Sequence, residues 1–218
     1  MNLRIQSLLL LAPLLVAACG PPMEPARSIE SRDAVCPSGP AWPSGQIDPN
    51  VATIGPTSNA IRRGDGALWI VESGSNTVSK FDLAGQELHR NFIDVGEGRN
   101  PYDIAIDASS QRAYITNWLS STVSIADTES GRVLEELSFD AFDFPQGIEV
   151  TEEFLYVTNV HFRGGDDASA FETGTIAIID RQQHKLLRTV DTAWENPQFI
   201  RSIETPEGTR IAVVSAGV

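Results

Sequence analysis

The densest gathering of reactive side chains is one short stretch, His161-Phe162-Arg163-Gly164-Gly165-Asp166-Asp167, with Phe171 shortly after. An imidazole beside two carboxylates can hold a divalent cation or move a proton, and a guanidinium can grip a carboxylate or phosphate. The spacing matches no known metal-ligand pattern, so no metal is assigned and the acidic pair reads equally well as solvated charge. Gly164-Gly165 lacks the strand-to-helix setting of a phosphate-binding loop and reads as a loop tip. His89 and His184 fall beside expected outer strands, where surface placement is the rule. No Cys-x-x-Cys-His, Gly-x-Ser-x-Gly or His-Glu-x-x-His occurs, which excludes c-type haem attachment, a nucleophile elbow and a zincin centre. No cofactor and no catalytic residue are assigned on these grounds.

Such a stretch needs a scaffold, and the scaffold is a repeat. Pro101, Ile104-Ala105-Ile106, Tyr114-Ile115-Thr116-Asn117 and Thr122-Val123-Ser124-Ile125-Ala126-Asp127 recur as Pro145, Ile148 and Val150, Tyr156-Val157-Thr158-Asn159 and Thr175-Ile176-Ala177-Ile178-Ile179-Asp180. A looser copy has Pro56, Trp69-Ile70-Val71-Glu72 and Thr77 to Asp82, and a fourth runs from Pro197 to Ile211-Ala212-Val213-Val214. Trp69, Tyr114 and Tyr156 are 45 and 42 residues apart, room for four strands and their turns. Proline lacks an amide donor and suits a strand's first residue. Asp82, Asp127 and Asp180 end the third strand, where a short polar side chain starts a turn. Outer strands are expected at 86–93, 132–139 and 185–190. The fold class is therefore all-β, a β-propeller of four-stranded antiparallel blades, with about three and a half blades present and the ring incomplete. An open β-sandwich needs no such repeating order of residue types.

The repeats resemble the YVTN-type β-propeller family, whose motif stands at Tyr156-Val157-Thr158-Asn159 and, with one change, at Tyr114-Ile115-Thr116-Asn117. The Trp69 copy, with Asp82-Leu83-Ala84-Gly85, leans toward the virginiamycin B lyase and NHL repeats. In such propellers the loops before the first strand and between the second and third open on one face, where ligands bind. The resemblance places Tyr102, Asp103 and Arg201 on that face, with Asn100, Gln146, Gln198, Glu72, Asn117 and Asn159. Asparagine at a strand end also bonds the hairpin backbone, so Asn117 and Asn159 have a structural reading beside the functional one.

Tyr156 to Thr175 spans nineteen residues where Tyr114 to Thr122 spans eight. The third copy thus carries an eleven-residue insertion on the same face, and the insertion holds His161, Arg163, Asp166 and Asp167. Rigid scaffolds carry function on such loops, so this one is expected to meet a ligand and to add little stability. Two classes follow: a non-enzymatic binding or scaffold module for a protein or small molecule, or a hydrolase or lyase of the lactonase or virginiamycin B lyase kind. Quinone-dependent dehydrogenases also use propellers, but the tandem-tryptophan docking motifs are missing.

Residues 1–18 combine Arg4, an apolar run from Leu8 to Leu15 and small residues before Cys19. The run is too short to span a bilayer and reads as an export signal. Val16-Ala17-Ala18-Cys19 resembles the bacterial lipobox, which implies an acylated Cys19, attachment to the membrane through that lipid, and, with Gly20 following, an outer-membrane address in the cell envelope. Residues 19–50, rich in Pro, Gly and Ser, read as a tether to a propeller over 51–218. The net charge of −13 becomes −14 without Arg4, which disfavours nucleic acid as a partner. Cys36 has no partner in the chain once Cys19 is acylated. Because closed propellers typically need four to eight blades, the sequence is expected to be a partial open reading frame or a truncated gene product.

Overall fold

Alternating apolar residues and aspartate-headed turns set the strand ends. The computed structural model describes residues 58–164 and 170–216, which fall in one compact unit, Asn50–Val218. The leader, tether, Cys19 and Cys36 lie outside the described residues, as do Asp166 and Asp167. Three antiparallel sheets of four strands form in strict chain order. Blade 1 is β1 (Ser58–Gly64), β2 (Ala67–Glu72), β3 (Thr77–Phe81) and β4 (Glu87–Asp94). Blade 2 is β5 (Pro101–Asp107), β6 (Arg112–Asn117), β7 (Thr122–Asp127) and β8 (Val133–Leu137). Blade 3 is β9 (Pro145–Val150), β10 (Phe154–Asn159), β11 (Thr173–Asp180) and β12 (Lys185–Glu195). A two-stranded sheet of β13 (Pro197–Thr205) and β14 (Gly208–Ser215) follows.

The prolines open β5, β9 and β13 as their missing amide requires. Asp82, Asp127 and Asp180 each turn the chain: Oδ1 accepts from Ala84 N at 2.9 Å, Ser130 N at 2.8 Å and Gln183 N at 2.7 Å, respectively. The outer strands depart from their expected bounds. β8 is shorter, and β12 runs on to Glu195 because register shifts at Thr173/Thr175 and Ile178/Ile179 keep it paired along β11.

Period-2 alternation gives each sheet two apolar faces, and the blades stack them. Trp69, Val71 and Val78 of blade 1 pack against Ile104, Ala113, Ile115 and Ala126 of blade 2. Tyr114, Val123 and Ile125 of blade 2 meet Ile148, Leu155, Val157, Ala177 and Ile179 of blade 3. Tyr156 and Ile178 meet Ile200, with Ile211 and Val213 at the margin. The repeated aromatic therefore faces the next blade every time. Each large side chain so buried stabilises by about 1.5–3 kcal/mol. On the other side of the β13–β14 sheet, Phe199, Ile203 and Val214 are exposed.

Polar ties cross the same interfaces. Arg62 of β1 pairs with Asp103 of β5, and Asp103 Oδ2 also accepts from Ile148 N of β9 at 3.3 Å, so one carboxylate links three blades. Thr116 Oγ1 donates to Gln146 O at 2.6 Å. Glu149 Oε1 accepts from Ser202 N at 3.1 Å and Ser202 Oγ at 2.5 Å. Gly147 is required where β9 meets β13, since a Cβ there would lie 2.7 Å from Gln198 O.

Candidate functional site

A threonine stands at or near the start of the third strand of every complete blade (Thr77, Thr122 and Thr175), and its hydroxyl takes a partner from the connection before it. In blade 1 the partner of Thr77 Oγ1 is Ser75 Oγ at 2.7 Å. In blade 2 that of Thr122 Oγ1 is Ser120 Oγ at 2.8 Å. In blade 3 the place is taken by His161, whose Nε2 lies 3.0 Å from Thr175 Oγ1. An imidazole thus meets the third-strand threonine where a serine hydroxyl does so in blades 1 and 2, although by backbone pairing His161 stands where blade 2 has Leu119, each amide donating to the carbonyl two residues before the blade proline.

The imidazole brings a carboxylate with it. His161 Nδ1 lies 2.9 Å from Asp143 Oδ2. Asp143 precedes β9, and its backbone closes the site twice: its N–H donates to Asn159 Oδ1 at 3.2 Å, and its carbonyl accepts from His161 N at 3.3 Å. Asn159 Nδ2 in turn donates to Thr175 Oγ1 at 3.3 Å. Asp143, His161, Thr175 and Asn159 therefore form a closed ring of hydrogen bonds. Partial burial pushes the Asp143 carboxyl up, but hydrogen bonds from His161 and Arg163 and the arginine's positive charge outweigh it and hold the group below the usual carboxylate range. An ionised Asp143 accepts only, so Nδ1 of the neutral ring carries the proton and Nε2 accepts from the threonine hydroxyl.

The described ends of the insertion pair as a short return ladder. Arg163 N donates to Ala170 O at 2.6 Å and Glu172 N to His161 O at 3.2 Å, with Phe162 and Phe171 bridged across. Arg163 uses both ends of its fork, Nη2 to Glu172 Oε2 at 2.9 Å and Nη1 to Asp143 Oδ2 at 2.7 Å. Those bonds raise the arginine's pKa and lower that of Glu172. Beside them the rings of Trp118, Phe144, Phe162 and Phe171 form a shelf: Trp118 to Phe144 is 4.9 Å between centroids, Phe144 to Phe162 is 5.8 Å, and Phe162 to Phe171 is 5.3 Å. Phe162 also lies 5.8 Å from Trp118. The described part of the ladder thus packs on blade 2's own connection, where ring contacts give it a means of adding stability.

Of the residues proposed from sequence, the structure brings His161, Arg163 and Asn159 together. Asn117 is buried on the neighbouring blade, donating to Thr122 Oγ1 at 3.0 Å and Ser124 Oγ at 2.8 Å. Its Oδ1 and the Nε1 of Trp118 are buried without a hydrogen-bond partner among the described residues. Tyr102 is half-buried on β5, where burial and the charge of Asp103 raise its pKa. The Asp103 carboxylate is buried within the blade contacts described above; burial raises its pKa against the opposing pull of Arg62. Arg201 sits apart on β13, 3.8 Å from Glu149 Oε2. Sequence reasoning missed Asp143, Thr175, Glu172, Trp118, Phe144 and Phe162. Thr175 was visible as the counterpart of Thr122, and Asp143 as the residue two before the blade proline, but neither position shows alone that it meets His161. Among the described residues no group of three or more His, Cys, Asp or Glu side chains is placed to hold a metal.

No protein-family model and no curated protein matches the chain. Solved structures do. Hydrazine synthase of Kuenenia stuttgartiensis is 20% identical with a TM-score of 0.60, over 80% of this chain and 46% of that one. A streptogramin B lyase is 15% identical with a TM-score of 0.50, over 73% and 55%. A chain of a nidogen/laminin complex is 17% identical with a TM-score of 0.50, over 62% and 48%. These likenesses establish the β-propeller fold, and the chain spans about half the length of each of the solved chains it matches.

Proposed function

We propose that the protein is a binding propeller whose recognition surface is the aromatic shelf of Trp118, Phe144, Phe162 and Phe171 together with the polar ring at Asp143 and His161. One observation carries this: only the blade 3 connection departs from the short turn of its counterparts, and it departs by stacking apolar rings beside ionisable groups. Apolar walls with a few fixed polar groups are what small-molecule sites are made of. The ligand class is a small molecule with an aromatic or apolar portion and a hydrogen-bonding head. Ligand-observed magnetic resonance with benzoate-ester, benzamide and indole fragments tests it. Saturation should transfer from the native chain and be lost in Phe162→Ser; equal transfer in both would move the site elsewhere.

A hydrolase or lyase is the second reading, favoured by the carboxylate-oriented imidazole. A lyase and a protein complex both occur among the structural neighbours, and architecture alone does not choose between chemistry and binding. We also propose that the protein is exported and lipid-anchored at Cys19, supported by the Val16-Ala17-Ala18-Cys19 sequence. Radiolabelled palmitate should enter the native chain and not Cys19→Ser, and equal incorporation into both would end this reading.

A further inference from the structure

We infer that Thr175 Oγ1 is an acyl-accepting nucleophile, served by His161 as general base and by Asp143 as its orienting carboxylate, and that the substrate class is a carboxylic ester with an aromatic or apolar portion. The inference rests on the binding site proposed above and adds a reaction to it.

The blades differ in what faces the third-strand threonine. In blades 1 and 2 the third-strand threonine meets Ser75 and Ser120, at 2.7 and 2.8 Å. A serine hydroxyl holds the hairpin equally well but cannot take a proton at neutral pH. Blade 3 instead sets against its threonine, from the position that holds Leu119 in blade 2, the one side chain whose unperturbed pKa suits proton transfer. It then orients the ring with an ionised carboxylate at 2.9 Å and leaves Nε2 facing the hydroxyl at 3.0 Å. Nucleophile, base and orienting group within hydrogen-bond reach are the geometric signature of an activated hydroxyl. The His161 side chain is 19% exposed and that of Asp143 27%, so the ring edge is sheltered yet reachable. Asn159 Nδ2, fixed by its Oδ1 bond to Asp143 N, already donates to Thr175 Oγ1. The shelf adjoins the base through the consecutive residues His161 and Phe162, which gives the apolar portion of the ester a wall.

The steps balance without a co-reactant other than water. Oγ1 bonds to the carbonyl carbon as its proton passes to His161 Nε2. The tetrahedral adduct collapses, breaking the bond to the leaving oxygen, which takes that proton and departs as the alcohol. Water then attacks the acyl-threonine, giving one proton to Nε2; the acid departs and the proton returns to Oγ1.

The test is hydrolysis of p-nitrophenyl benzoate by the full chain, with intact-mass detection of a benzoyl adduct and peptide mapping. The native protein should release p-nitrophenolate and carry the adduct on Thr175. His161→Ser, which keeps a polar side chain beside Thr175 but removes the base, should keep the melting temperature and lose about a hundredfold or more in rate. Thr175→Ser should retain the adduct at the same position. Absence of release above the buffer rate, an adduct mapped elsewhere, or an unchanged rate in His161→Ser would each overturn the inference. Fragment binding that survives alongside any of those results leaves the binding site standing and removes only the chemistry, whereas loss of both removes the site.

Discussion

At the scale of single residues, identical repeat positions carry different loads. Asp103 occupies the inner strand of blade 2, and its carboxylate pairs with Arg62 on one side and Ile148 N on the other. Asp103→Ala leaves a half-buried guanidinium without its partner, and such losses cost roughly 3–5 kcal/mol; urea denaturation at neutral pH should show it. The Asp143 carboxyl has its folded-state pKa lowered, so its contribution is complete above the unfolded value of about 3.9 and disappears as pH falls from there through the folded value. The stability gap between native protein and Asp143→Asn should therefore be constant from pH 7 to about 5 and close on further acidification. A gap that widened in acid would contradict the assignment. The chemistry-bearing residues were only half legible in the sequence. His161 and Arg163 announced themselves by breaking the repeat, whereas Asp143 lies eighteen residues before His161 and meets it through the β9–β10 hairpin, a relation no local pattern encodes.

At the scale of elements, turn chemistry and strand alternation made the blades legible. Tyr156-Val157-Thr158-Asn159 and its relatives are β10, β6 and β2, and their aspartate-headed turns fold as their residue types require. Less legible were the ends of β8 and β12, where register shifts and not propensity decide, and the insertion, whose described ends pair at Phe162 and Phe171. Replacing 162–171 by a short turn should preserve the β circular dichroism signal. It should nonetheless lower the melting temperature, because Trp118 and Phe144 lose ring contacts each contributing about 0.5–1.5 kcal/mol; at 2–4 °C per kcal/mol for a chain of this size, a drop of several degrees is expected in a thermal melt. No drop would mean that the rings pack without stabilising.

At the scale of the whole molecule, stability is a chain of interfaces between neighbouring blades. Val157 belongs to the blade 2–blade 3 cluster and Ile178 to the cluster with Ile200. Aspartate at either position buries an unpaired charge and should cost several kcal/mol, with the two substitutions loosening opposite sides of blade 3 in hydrogen exchange. Protection lost equally on both sides from either change would show that the blades do not act as separate cooperative units. Strict chain order of the strands also reaches into biosynthesis. Trp69 finds its cover only when residues as late as Ala126 have been made, 57 positions downstream by the numbering. Blade 1 is itself complete only at Asp94, so at about 5–20 residues per second an elongating nascent chain carries a finished but uncovered apolar sheet over the 32 positions from Asp94 to Ala126, for roughly two to six seconds, and that interval is when the emerging polypeptide is most exposed to wrong partners.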